Sequence, residues 1–371
     1  MFRSLSAVVV GVACLAAWGN AAGQGSQLSD LLNTDAASEF ETANAPRRFS
    51  FPNDHGPHEA FRNEWWYVTG NLDADDGSRF GFELTIFRFS LTPDRPEDGS
   101  AWRSNQVYVG HLALTDADRQ DFYMAERYSR GALGLAGAQA DPFRVWIDDW
   151  QIAAQPDDSS WQLGAGDDGF AIDLNLVPLK QPVLNGEAGL SRKSYEIDSA
   201  SYYYSIPRLQ TSGTVTVAEK PFEVSGYSWL DREWSTSALA TDQVGWDWFA
   251  LQLSDGSELM LYNIRKLDGS ADPSSSGTLT LPDGTYRALR RGDFEITATD
   301  IWDSPKGGTY PARWVVSVPS IGLDVEVEPI LDDQELETIV RYWEGAVDVS
   351  GTKDAAAISG RGYVELTGYA D

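Results

Sequence analysis

Residues 54–70 read Asp54-His55-Gly56-Pro57-His58-Glu59-Ala60-Phe61-Arg62-Asn63-Glu64-Trp65-Trp66-Tyr67-Val68-Thr69-Gly70. His-Gly-Pro-His is a turn signal, because Gly tolerates unusual backbone angles and Pro fixes its own φ. Glu64 to Gly70 is a strand signal, rich in aromatic and β-branched residues and closed by Gly. The stretch holds two of the chain's three histidines. A polar turn feeding an aromatic strand suits the rim of a binding cavity, and equally an ordinary buried strand with a polar lead-in.

Outward from it, the same grammar recurs. Asp75-Asp76-Gly77-Ser78 is a hairpin turn leading into Arg79–Ser90, RFGFELTIFRFS, which alternates with period two. Phe80, Phe82, Leu84, Ile86 and Arg88 share one face; Gly81, Glu83, Thr85, Phe87 and Phe89 share the other. Gln106–Thr115 is a third strand, carrying His111. Short strand-like runs continue to the C-terminus. Among them is a hairpin about Ser254–Ser257, in which Val244, Trp246, Trp248, Ala250 and Gln252 face away from Phe249, Leu251 and Leu253. Ser225–Ser237, SGYSWLDREWSTS, is a second polar-aromatic stretch. Short strands at regular spacing predict an all-β chain of sandwiches or barrels. The repeated grammar predicts two related antiparallel β-barrel domains, dividing between about residues 205 and 240 and taken as 46–215 and 216–371.

Composition bounds the function. The 371 residues include 14 Trp, 15 Tyr and 15 Phe, enough for an aromatic-lined interior. Net charge is −28, which argues against nucleic-acid or anionic-membrane binding through a basic surface. Residues 1–22 read as a signal peptide: Arg3, the apolar run Leu5–Trp18, then small residues. Residues 23–45 read as a polar tether. The expectation is a secreted, periplasmic protein. Cys14, the only cysteine, lies in the leader, and Gly11 three residues before it disfavours lipoprotein anchoring. The mature chain then has no disulfide, thiolate metal site or cysteine nucleophile.

DHGPHEAFRNEWWYVTGNL, VGHLALTD, GYSWLDREWSTSALATDQVGWDWFALQLSDGSELMLYNIR and the terminal GYVELTGY resemble the AttH/carotenoid 1,2-hydratase (hydroxyneurosporene synthase) family over roughly residues 46–371. The resemblance implies two packed lipocalin-like barrels with an apolar cavity. It also implies mixed functions. One branch hydrates a terminal C=C of acyclic carotenoids without metal or redox cofactor. Fungal relatives in the wider group guide pericyclic cyclisations. AttH-like members are secreted and linked to ABC-type export systems. The hydratase branch carries a His and an Asp where this chain has Arg232 and Asn263, with Tyr262 and Arg265 nearby, which makes true carotenoid hydration a poor match.

Asp231, Arg232, Glu233 and Trp234 form the sharpest ionisable cluster. Hydration of an unactivated alkene needs an acid to protonate carbon and a wall that stabilises the cation. A carboxyl in an apolar cavity stays protonated, and aromatic faces attract cations. Asp231 or Glu233 fits the acid; Trp234, Trp246 and Trp248 fit the wall. The competing reading is an Asp–Arg–Glu salt-bridge network at the domain junction. His55, Glu64, Trp65, Trp66, His111, Arg232 and Tyr262 complete the candidate ligand-binding or site-shaping set, with His55 and Glu64 expected near Asp231–Trp234. His55, His58 and Glu64, with Asp54, lack a recognised metal-ligand spacing. They read as residues ordering the loop, with Glu64 paired to Arg62. No metal or cofactor is expected. Two function classes remain. One is a secreted lipocalin-like protein binding an apolar or amphipathic lipid or isoprenoid, serving an ABC-type envelope system. The other is a cofactor-free hydratase or cyclase with Asp231 or Glu233 as proton donor.

Overall fold

The computed structural model describes residues 39–94, 100–156, 159–195, 199–236 and 239–370. The leader and most of the tether lie outside the described residues. The expected all-β fold is present: two antiparallel sheets, the first a nearly closed barrel and the second a half-barrel. Short 3₁₀ turns occur at Asn53–His55 and Pro319–Ile321.

In the first sheet, Asn63–Ala74 sits centrally, between Arg79–Ser90 on one side and Lys220–Ser235 on the other. Lys220–Ser235 pairs in turn with the long strand Ser199–Val217. This placement corrects one expectation. The Ser225–Ser235 part of Ser225–Ser237 does not lead into the second barrel; it lies in an interior strand of the first sheet. The chain crosses to the second sheet between Ser235 and Gln243, later than the division at 215/216. A strand that was not anticipated, Asp121–Arg130, forms the sheet edge beside Gln106–Asp116. Its sequence, DFYMAERYSR, is polar for an edge strand that has no second neighbour and whose side chains are mostly only half-buried.

Alternation sorts each strand into two faces with different neighbours. Trp66, Val68, Phe82, Leu84, Ile86, Leu230 and Trp234 fill the first barrel. Phe249, Leu251, Leu261, Val347 and Val364 fill the second sheet's own core. The opposite faces pack on each other. Tyr67, Tyr203, Trp229, Trp248, Met260, Tyr262, Ala346 and Tyr363 form a separate buried cluster along this seam. The sheets approach closely at Gly81, where an added Cβ would meet Ala346 Cβ of the second sheet. Both faces of the central strands are therefore buried, one in a barrel and one in the seam.

Candidate active site between the two sheets

The seam is incompletely filled. It leaves a cavity of about 120 Å³, walled by Trp65, Tyr67, Phe87, Phe89, Val109 and His111 from the first three strands, and by Lys193, Tyr203, Asp231 and Glu233 from the far side of the first sheet. Trp246, Trp248, Tyr262, Ile264, Tyr342, Glu344 and Glu365 close it from the second sheet. The cavity lies between the two sheets.

On Lys220–Ser235, residues 231 and 233 point into this cavity and residues 232 and 234 into the first barrel. Asp231 is buried. Its Oδ1 accepts from Ser205 Oγ at 2.5 Å and Trp229 Nε1 at 2.7 Å, and its Oδ2 accepts from the Tyr203 hydroxyl. All three donors are uncharged. Burial dominates and pushes the Asp231 carboxyl up to about 7, helped by the Glu233 charge and opposed by the three hydrogen bonds. Glu233 instead pairs with Lys193 Nζ at 2.8 Å. The ammonium lies 4.6 Å from the Tyr262 ring centroid and 5.2 Å from that of Tyr203. Burial opposes the charge on Lys193, yet Glu233 and its neighbours hold its pKa above the ordinary value.

Two further acids line the cavity. Burial pushes Glu365 up to about 8, with Glu233 and Asp231 adding to the effect. Glu344 is also raised well above the ordinary carboxylate range by burial and by nearby Glu365 and Glu83; Tyr67 donates to its Oε2 at 2.8 Å. Glu83, fully buried behind the wall beside Thr85, is likewise raised by burial. The result is an aromatic chamber whose buried carboxyls Asp231, Glu344 and Glu365 are pushed above the ordinary carboxylate range, with one ion pair at its margin.

The sequence-expected residues divide cleanly. Asp231, Glu233, Trp65, His111, Trp246, Trp248 and Tyr262 converge on the cavity. His55, Glu64, Trp66, Arg232 and Trp234 face the first barrel. Asp231, Arg232 and Glu233 therefore do not form one salt-bridge network. Arg232 pairs with Glu64 Oε2 at 2.9 Å, donates to the Trp65 and Gly56 carbonyls, and lies 4.0 Å from the Trp66 ring centroid. Glu64 also binds Arg88 and contacts His58, and not Arg62 as expected. Arg88 and Arg232 outweigh burial and hold Glu64 far below the usual range. His58 stacks on Trp234 at 3.6 Å and bridges Asp54 and Glu64. His55 Nδ1 meets the Tyr204 hydroxyl at 2.6 Å, and burial together with Arg232 depresses its pKa to about 3. The Asp54–Arg62 loop, with Glu64 of the strand it leads into, is thus tied into the first barrel. Glu64 and Trp234 are direct register partners, so the two stretches do meet, but on the face away from the cavity.

Tyr67, Tyr203, Lys193, Glu344 and Glu365 were not anticipated. Tyr67 shares the parity of Trp65, and Tyr203 lies in the Tyr202–Tyr204 run, so period-two counting points to both. Nothing local marks Lys193, which the first sheet sets beside Glu233, or Glu344 and Glu365, which only the packing of the two sheets brings in.

Paired antiparallel β-barrel sheets with a site in the seam define a two-domain, lipocalin-like architecture. The AttH-like family pattern matches residues 42–369, and this chain belongs to that family. The crystal structure of an AttH-type protein from Nitrosomonas europaea is 33% identical, with a TM-score of 0.78, 88% of this chain covered and 100% of the other. Kievitone hydratase from Nectria haematococca superimposes with a TM-score of 0.67 at 16% identity, covering 89% of this chain and 96% of its own. CghA bound to Sch210972 superimposes at 0.51 with 11% identity, covering 90% and 97%. No curated protein matches the sequence.

Proposed function

We propose that this protein is a cofactor-free hydro-lyase, adding water across a C=C bond of an apolar, isoprenoid-type molecule held between the two sheets. One observation carries the reading: Asp231 is a buried carboxyl in an aromatic cavity, bonded to uncharged donors and half-protonated near neutrality. An acid in that state gives up a proton readily at physiological pH. The Trp65, Tyr67, Trp246 and Trp248 rings offer faces to the cation that protonation creates. The likeness to a hydratase and to a small-molecule-bound protein agrees with this reading at the level of fold.

The carrier reading shares the cavity and needs only its walls. An uncharged acid held there by burial contributes nothing to apolar binding and carries a desolvation cost. Arg232 and Asn263, set against the His and Asp that the resemblance implies for carotenoid hydratases, do not line this cavity, whereas the neighbouring alternative Tyr262 does.

The test is incubation of the purified protein with acyclic isoprenoid alkenes of graded length in oxygen-18 water. Hydration incorporates one labelled oxygen per reacted double bond. Asp231→Asn is expected to abolish incorporation while the folded circular-dichroism spectrum is kept. Absence of incorporation by the wild type across the whole series would overturn the enzyme reading.

A further inference from the structure

Addition of water needs a group that takes a proton from the attacking water as well as one that gives a proton to carbon. The cavity contains such a group on a different wall. His111, on Gln106–Asp116 of the first sheet, places Nδ1 2.6 Å from the Tyr342 hydroxyl of the second sheet. Its Nε2 lies 3.1 Å from Glu126 Oε1 on the edge strand Asp121–Arg130. Both His111 and Tyr342 line the cavity and both are buried.

The hydrogen-bond directions follow from what each atom can do. Glu126 accepts the Nε2–H, and its carboxylate is held below the ordinary range, where burial is outweighed by the bonds from His111, Tyr128 and the Ile339 amide. Nδ1 is then unprotonated and accepts the phenolic proton. The Tyr342 phenol keeps that proton, because burial and the acids Glu83, Glu344 and Glu365 all oppose its ionisation. The Tyr342 oxygen retains lone pairs for a further donor.

We propose that Tyr342 is the catalytic residue that contacts the attacking water, with His111 and Glu126 as positioning residues that receive and stabilise the proton; the proposal rests on the hydro-lyase reading. As Asp231 gives its proton to one alkene carbon, the water oxygen bonds to the other. The departing water proton goes to Tyr342 Oη while the Tyr342 proton moves to Nδ1 of His111. The step leaves an alcohol, an Asp231 carboxylate and a His111 imidazolium beside the Glu126 carboxylate. Solvent returns the proton from His111 to Asp231. The relay spans both sheets, so it is assembled only when they are docked. This explains why a polar triad of this kind sits at an otherwise aromatic seam.

Two measurements on the full-length protein test the relay. The first is nitrogen-15 NMR of the imidazoles, tractable with three histidines and assigned by the signal lost in His111→Gln. The neutral imidazole of His111 is expected as the Nε2–H tautomer, with an Nδ1 resonance that shifts in Tyr342→Phe. An Nδ1–H tautomer overturns the proposal. The second is the kinetics of Tyr342→Phe on the isoprenoid alkene hydrated by the wild type. The relay predicts a fall in kcat of about 10²-fold or more with KM unchanged. Wild-type turnover with unaltered Tyr342→Phe kinetics would overturn the relay alone and leave His111–Tyr342 a tether between the sheets. Absence of wild-type turnover would overturn the hydro-lyase reading and, with it, the relay's role in hydration.

Discussion

The Tyr203 hydroxyl donates to Asp231 Oδ2 and at the same time accepts from Trp248 Nε1 at 3.0 Å, so one phenol joins the acid to the opposite sheet. The bond favours the ionised carboxylate and works against burial. Tyr203→Phe removes it while keeping the ring. The Asp231 carboxyl should then titrate above its present midpoint of about 7, and the alkaline limb of the hydration pH–rate profile should move to higher pH. An unmoved limb would separate Asp231 from that ionisation.

Asp231 also makes a stability prediction. Its pKa in the folded protein, about 7, lies above the ordinary 3.8, so the folded state holds this proton more tightly than the unfolded chain. The resulting stabilisation is fully present below about pH 4 and is lost as pH rises through 7. Asp231→Asn lacks this dependence. Denaturant titrations should show it gaining on the wild type by several kcal/mol between pH 4 and pH 8. Parallel curves for the two proteins across that range would contradict the burial of an uncharged acid.

Glu64 tests the opposite case, a buried acid that is charged. It neutralises both Arg88 and Arg232, which are themselves fully buried. Glu64→Gln leaves two guanidinium groups under-compensated and should cost ~3–5 kcal/mol, seen as a large fall in Tm. Its effect on hydration, measured well below that Tm, should be small, since Glu64 faces away from the cavity.

The docking of the sheets is tested at Gly81 and Ala346. Gly81→Ala places a methyl against the Ala346 methyl and should destabilise by ~1–3 kcal/mol. Gly81→Ala combined with Ala346→Gly should recover most of the loss, and a double-mutant cycle reads the coupling. Simple additivity of the two changes would place the contact elsewhere.

Much of this was legible in the chain. Period-two alternation separates Trp65 from Trp66 and Asp231 from Arg232, and it assigned Trp246 and Trp248 to the face opposite Phe249. It does not say which face meets ligand, because both faces of these strands are apolar and both are buried. The paired histidines near Pro57 drew attention to the Asp54–Arg62 loop. Their chemistry is consumed by Glu64, Asp54, Trp234 and Tyr204 in tying that loop into the first barrel. Glu344 and Glu365 carry no local mark at all. They reach the cavity only because the second sheet lies across the first, an arrangement set by contacts hundreds of residues apart in sequence. Lys220–Ser235 pairs locally with Ser199–Val217 in a hairpin, but its other partner, Asn63–Ala74, is remote in sequence, and that pairing is what places it in the first sheet.

The central claim is that Asp231 is an uncharged acid poised near neutrality. Carbon-13 NMR of aspartate-carboxyl-labelled protein, assigned by the resonance lost in Asp231→Asn, reads this directly. The account predicts a carboxyl that titrates with a midpoint near 7. A carboxyl already fully ionised at pH 5 would contradict it.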